Sequence, residues 1–199
     1  MTLIEFPPFA PAPEGTVRLI RRLSRPLVWL LTAVLVLTVA VLAIMAAAVL
    51  FYDGPRLLVR PGGLQILLMA TPPPVPEGWY SLGQAPLVQR LALVTSGALM
   101  MGPALAVLWT LRRLFVLYGE GRVLEAGNAR LLKVMAIWLI AYAVGPTLGH
   151  YLVAATGFDD QGWLRMDSVQ ALVLGLVLFV IARVMQLAAE AHDDASRFV

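Results

Sequence analysis

Four stretches of about twenty residues or more, almost free of charge, decide what this chain can fold into. They fall near 27–52, 91–110, 134–155 and 169–187. A bilayer core of about 30 Å requires that length of a helix rising about 1.5 Å per residue. Inside lipid no water is at hand to bond an amide, so each stretch must satisfy its own backbone, which a helix does and a lone strand does not. Composition agrees, since 60% of the 199 residues are apolar and 14% charged. Soluble domains stand nearer about half and a quarter. The expected fold class is therefore all-α, an integral membrane four-helix antiparallel bundle with both termini cytosolic. Residues 16–199 form one membrane domain, and 1–15, with Pro7, Pro8, Pro11 and Pro13, read as a flexible tail.

Orientation follows from the basic residues. With both termini inside, the cytosolic side holds Arg18, Arg21, Arg22, Arg25, Arg112, Arg113, Arg122, Arg130, Lys133, Arg183 and Arg197, eleven in all. The outer side holds four, Arg56, Arg60, Arg90 and Arg165, so the positive-inside rule selects this topology. The net charge of +3 is thus explained by topology and anionic headgroups, and direct nucleic-acid binding is not expected. No cleaved signal peptide is expected either, because the first apolar run is too long for a signal core. Val17, Ile20 and Leu23 oppose Arg18, Arg21, Arg22 and Arg25, the pattern of a short surface helix or of a basic flank before a span opening at Pro26.

The outer loop, 53–90, carries seven prolines and so excludes a long helix. Within it, Pro61, Gly62 and Gly63 separate two apolar runs, a pattern that leaves two readings open, one of them a short β-hairpin. A short interfacial helix over 64–70 is the competing reading. This loop is the largest surface on which an external ligand would land.

Two spans each contain a Gly-Pro pair near mid-bilayer, Gly102-Pro103 and Gly145-Pro146, with Gly149 one turn further on. Proline removes one helical hydrogen bond, and the small residues allow close approach of a neighbour. The pairs read as packing kinks, or as an ion site built from freed carbonyls in a small transporter or channel.

Chemistry-bearing groups are sparse. There is no cysteine, so thiolate metal sites and disulfides are excluded. His150 lies near an outer helix end, with Asp159 and Asp160 a loop away, but one imidazole is not a metal site and His192 belongs to the other side. No nucleophile, base and orienting group occur together, so no enzyme and no cofactor are expected. Arg90 and Arg183 sit just inside span limits, where long stems snorkel to the interface, and Glu120 or Glu125 is a candidate partner for Arg183. The acidic tail of Glu190, Asp193 and Asp194 is a candidate partner for Arg112 and Arg113 across the inner face.

The polar turn 111–133 joins the two halves. Phe115, Leu117 and Tyr118 prolong the second helix, Gly119 and Gly121 break it, and Glu125 to Lys133 restart a helix with a carboxylate at its positive end. Asn128 is placed to bond the backbone of the reversal. Here LFVLYGEGRVLEAGNARLLKVMAIWL, and at the end LGLVLFVIARVMQLAAEAHDDASRFV, resemble a family of small bacterial four-helix membrane proteins of unknown function, often encoded beside an Xre-type helix-turn-helix repressor. The likeness covers 89–199. It implies a non-enzymatic membrane sensor or regulatory protein that holds a cytosolic, DNA-binding partner. The expected partner surface is Arg112, Arg113, Tyr118, Glu120, Arg122, Glu125, Asn128, Arg130, Glu190 and Asp193. Lipid and a second copy of the chain are the other expected partners. An immunity or ligand-binding protein using the outer loop is the alternative.

Overall fold

The computed structural model describes residues 14–54, 56–60, 63–66, 77–121, 126–157 and 166–196. Four long helices dominate them: α1 Glu14–Phe51, α2 Leu87–Gly119, α3 Ala126–Ala154 and α4 Met166–Ser196. All four are long and apolar enough to cross a membrane, over Arg22–Phe51, Leu87–Gly119, Gly127–Ala154 and Met166–Ala188. This fits a multi-pass membrane protein.

Each helix outruns its apolar stretch. α2, with 33 residues, is about 50 Å long, so it projects well past a core of about 30 Å. α1 shows the largest difference from expectation, because the surface segment and the span are one 38-residue helix running through Pro26. A single proline removes only the bond to the Arg22 carbonyl, and the flanking turns hold the helix together. Threonines within the spans turn their hydroxyls onto their own helix: Thr32 donates to the Val28 carbonyl at 2.6 Å and Thr110 to that of Ala106 at 2.7 Å. α2 stops where Gly121 adopts φ +85° and its N–H bonds the Tyr118 carbonyl at 3.1 Å, a left-handed termination that side chains resist.

Packing follows the sequence: α1 lies on α2, α2 on α3 and α3 on α4. Among the described residues no comparable seam brings α4 back to α1, so the four helices pack in sequence order as an open row. At the first seam Thr32 meets Arg112 and Ser24 faces Gly119. At the second, Gly145 meets Leu99 and Gly149 meets Ser96. At the third, Gly175 rests against Ala136 and Ile140.

The outer loop holds three strands, β1 Leu57–Arg60, β2 Gly63–Ile66 and β3 Tyr80–Ser81, in the order β2-β1-β3 and antiparallel throughout. The hairpin reading thus holds, with Leu57 opposite Ile66 and Arg60 opposite Gly63. The short-helix reading fails at Leu64–Ile66, which are strand, and 67–70 lie outside the described residues. Leu57 and Val59 turn inward with Val49, Leu82, Ala85, Ala92 and Val153 to form a core that caps this end of the helices. A second core, Leu114, Leu132 and Ala182, closes the opposite end, toward which α1 begins and α4 ends.

Candidate functional site

At the capped end the organising side chain is Arg90. The sequence places it at a span limit with its head drawn into water, and the structure overturns that, since Arg90 is only 8% exposed. α1 ends at Phe51 with unsatisfied carbonyls, as every helix does. Arg90 Nη1 donates to the Leu50 carbonyl at 3.0 Å, Nε to that of Ala85 at 3.2 Å, and Nη2 to that of Gly83 at 3.3 Å. Nη2 also donates to Asp53 Oδ1 at 2.6 Å. One guanidinium therefore ties the end of α1 to the short 3-10 turn Leu82–Gln84 and to the start of α2. Gly83 lies directly on the Asp53 backbone, an approach that a side chain there would prevent. With its donors committed to these acceptors, Arg90 acts as a clasp and has little left to offer a ligand.

β3 completes this cap. Burial pushes the Tyr80 phenol above its ordinary value of 10.0. A raised native value means that the folded state keeps its proton after an unfolded tyrosine has lost it. Tyr80 therefore supports the fold fully below about pH 10, and the support is lost as pH rises through the native value. Comparison of alkaline unfolding of Tyr80→Phe with that of the wild type should show a shallower decline for the variant; identical profiles would remove Tyr80 from the account.

The terminal end gathers the residues singled out in the polar turn. Tyr118 packs on the Leu114, Leu132 and Ala182 core and meets Phe115 edge-on at 6.0 Å. Asn128 is fully buried at 0% exposure. Arg112 Nε donates to Thr32 Oγ1 at 2.7 Å, which pins α1 to α2. Arg112 and Arg113 both lie over the Trp109 ring, at 5.5 and 5.8 Å. Arg130 and Glu120 are exposed. Arg122 and Glu125 lie outside the described residues, and Asp193 is placed only as part of the α4 backbone.

Arg183 and Glu190 both take part in bonds along their own helix. Arg183 bonds Gln186 Oε1 on its own helix at 3.0 Å, and Gln186 in turn donates to Glu190 at 2.9 Å. Residues three and four apart on a helix are neighbours, so this chain along α4 forms without help from the turn. Among the described residues no ion pair joins Glu190 to Arg112 or Arg113, which fits an open row whose α4 is separated from α2 by α3.

The Gly-Pro pairs do converge. Gly102, Pro103 and Gly145 line one groove of about 560 Å³ between α2 and α3, and Pro146 is buried beside it. Pro103 leaves the Leu99 carbonyl without its helical donor, and Gly145 of α3 lies directly on that carbonyl. Gly149 rests on Ser96 in the same way. Both helices continue through their prolines.

The Arg90 clasp went unseen in the sequence, although a signal was present: Asp53 and Arg90, opposite charges, stand at the two stems of one loop. Among the described residues no three histidine, aspartate or glutamate side chains gather closely enough for a metal ion. Comparison with models of known families, with curated proteins and with solved structures finds no match.

Proposed function

We propose that this chain is a non-enzymatic, regulatory inner-membrane protein that holds a cytosolic partner on the terminal end of its helices. The observation that carries this reading is the Leu114, Leu132 and Ala182 core, which unites the end of α2, the start of α3 and the late part of α4 into one platform. α4 then runs on from its apolar segment, which ends at Ala188, to Ser196, so it offers two further turns beside that platform. The proposed topology has antiparallel neighbours with both termini cytosolic. It is supported by the pairing of Thr32 with Arg112 and Leu132 with Ala182, and by the basic excess at that end. The likeness of 89–199 to membrane proteins encoded beside an Xre-type repressor is the reason for naming a small helix-turn-helix protein as partner. A transport role draws less support, because Gly145 covers the carbonyl that Pro103 frees for an ion.

The test is co-purification of the full chain, mildly solubilised from its native membrane. A small DNA-binding protein is expected to stay bound, and Arg130→Glu combined with Glu190→Lys is expected to reduce its retention about tenfold or more, since charges at an interface rim govern encounter and register. Equal retention by the variant counts against this surface.

A further inference from the structure

The groove between α2 and α3 is apolar, open along its length and set within the spans, with Gly102 and Pro103 on one wall and Trp138, Ala141, Gly145 and Leu148 among the residues of the other. Following each helix toward the terminal end along the same face leads from Gly102 through Trp109 to Arg113, and from Leu148 through Ala141 to Arg130. Leu114 and Leu132 share the core between these helices, so Arg113 and Arg130 stand within about one turn of each other in height. Both are exposed, and Trp109, 45% exposed, lies beneath Arg113 at 5.8 Å. The groove's apolar wall and its cationic rim are therefore parts of one surface.

The distance along it is informative. From Gly102 to Arg113 the helix rises about 16 Å at about 1.5 Å per residue. One leaflet of hydrocarbon is about 15 Å deep, half of a core of about 30 Å. An acyl chain whose end reaches the Gly102 notch thus belongs to a lipid whose phosphate lies at Arg113 and Arg130. Two guanidiniums complement a phosphate diester by charge and by paired N–H donors, and a zwitterionic headgroup offers them less net attraction.

We propose that this face binds one anionic phospholipid of the surrounding leaflet, with a chain in the α2–α3 groove and the phosphate held by Arg113 and Arg130. The site shares Arg113 and Arg130 with the proposed partner surface but does not rest on that reading, because lipid retention is read on the isolated chain. Arg112 also lies over Trp109, but its Nε is given to Thr32 at the α1–α2 seam, which leaves Arg113 as the exposed cation of the pair.

The experiment loads the full, delipidated chain in mild detergent with synthetic phosphatidylglycerol or phosphatidylcholine of identical chains. Bound lipid is counted by native mass spectrometry. The wild type is expected to retain phosphatidylglycerol at least tenfold better than phosphatidylcholine, the scale of about two basic residues at an anionic surface. Arg113→Gln with Arg130→Gln should abolish that preference without touching a core residue. Gly102→Leu, where an added Cβ meets nothing within 4 Å, should fill the notch and lower retention of the anionic lipid while leaving the melting temperature near that of the wild type. Equal retention of the two lipids by the wild type, or undiminished phosphatidylglycerol on the double variant, overturns the proposal. So does a lipid-free dimer that Gly102→Leu converts to monomer, since a second copy would then occupy the groove.

Discussion

Arg90→Ala is expected to cost about 3 kcal/mol or more of stability and to melt the capped end first, because three carbonyls lose a charged donor at once. The magnitude comes from the acceptors left behind. Leu50, Ala85 and Gly83 each turn a carbonyl toward the guanidinium. A buried polar group deprived of its partner costs about 1–3 kcal/mol, and the Leu50 carbonyl sits at a helix end where no intrahelical donor replaces the loss. Asp53 is a different matter. Its side chain is 76% exposed, so water solvates it whether or not Arg90 is there. Asp53→Asn keeps a side-chain oxygen for Nη2 and removes only the charge beside the buried guanidinium, so it is expected to cost about 1–2 kcal/mol, less than Arg90→Ala. Unfolding in mixed micelles, with proteolysis near Gly83 as a local readout, separates the two. Equal losses for Arg90→Ala and Asp53→Asn would mean that the ion pair, and not the carbonyl clasp, holds the cap.

Gly145→Ala is the second large effect expected, a loss of about 2–3 kcal/mol, at the upper end of what overpacking costs. The added methyl group would run into the Leu99 backbone carbonyl. A flexible side chain swings away from such an intrusion, but a helix backbone does not, so α2 and α3 must separate. Gly102→Ala supplies the control, because its added Cβ meets nothing within 4 Å although Gly102 belongs to the matching Gly-Pro pair. If the two variants melt alike, the seam is not set by the contact between Gly145 and Leu99. The groove that Gly145 helps to line would also widen in the first variant and persist in the second.

How legible the molecule was depends on the range of the interaction concerned. The helical stretches could be read because each is a local property, and the turn at Gly119 and Gly121 because glycine frees the backbone where it stands. The pairing of Leu57–Arg60 with Gly63–Ile66 stays open in the sequence between hairpin and short helix, because a short apolar run fits either period. The single helix through Pro26 did not follow, since a proline read alone marks a boundary while its flanking turns hold the helix. For Arg183 a partner in the polar turn is one candidate in the sequence; a glutamine three residues along its own helix accepts from it at 3.0 Å. Local geometry outcompetes a distant carboxylate when the distant element is not packed alongside.

By itself, then, the sequence determined the membrane class, the number and position of the spans, and the concentration of cationic residues at one end. Each of these depends on residue type summed over a short window. Only the tertiary structure decided that the helices lie in an open row, that Arg90 is a buried clasp, and that the two Gly-Pro pairs meet in one groove. Those outcomes require segments such as Asp53 and Arg90, 37 residues apart, to arrive at one place. A donor selects its acceptor from whatever the packed chain brings within about 3 Å.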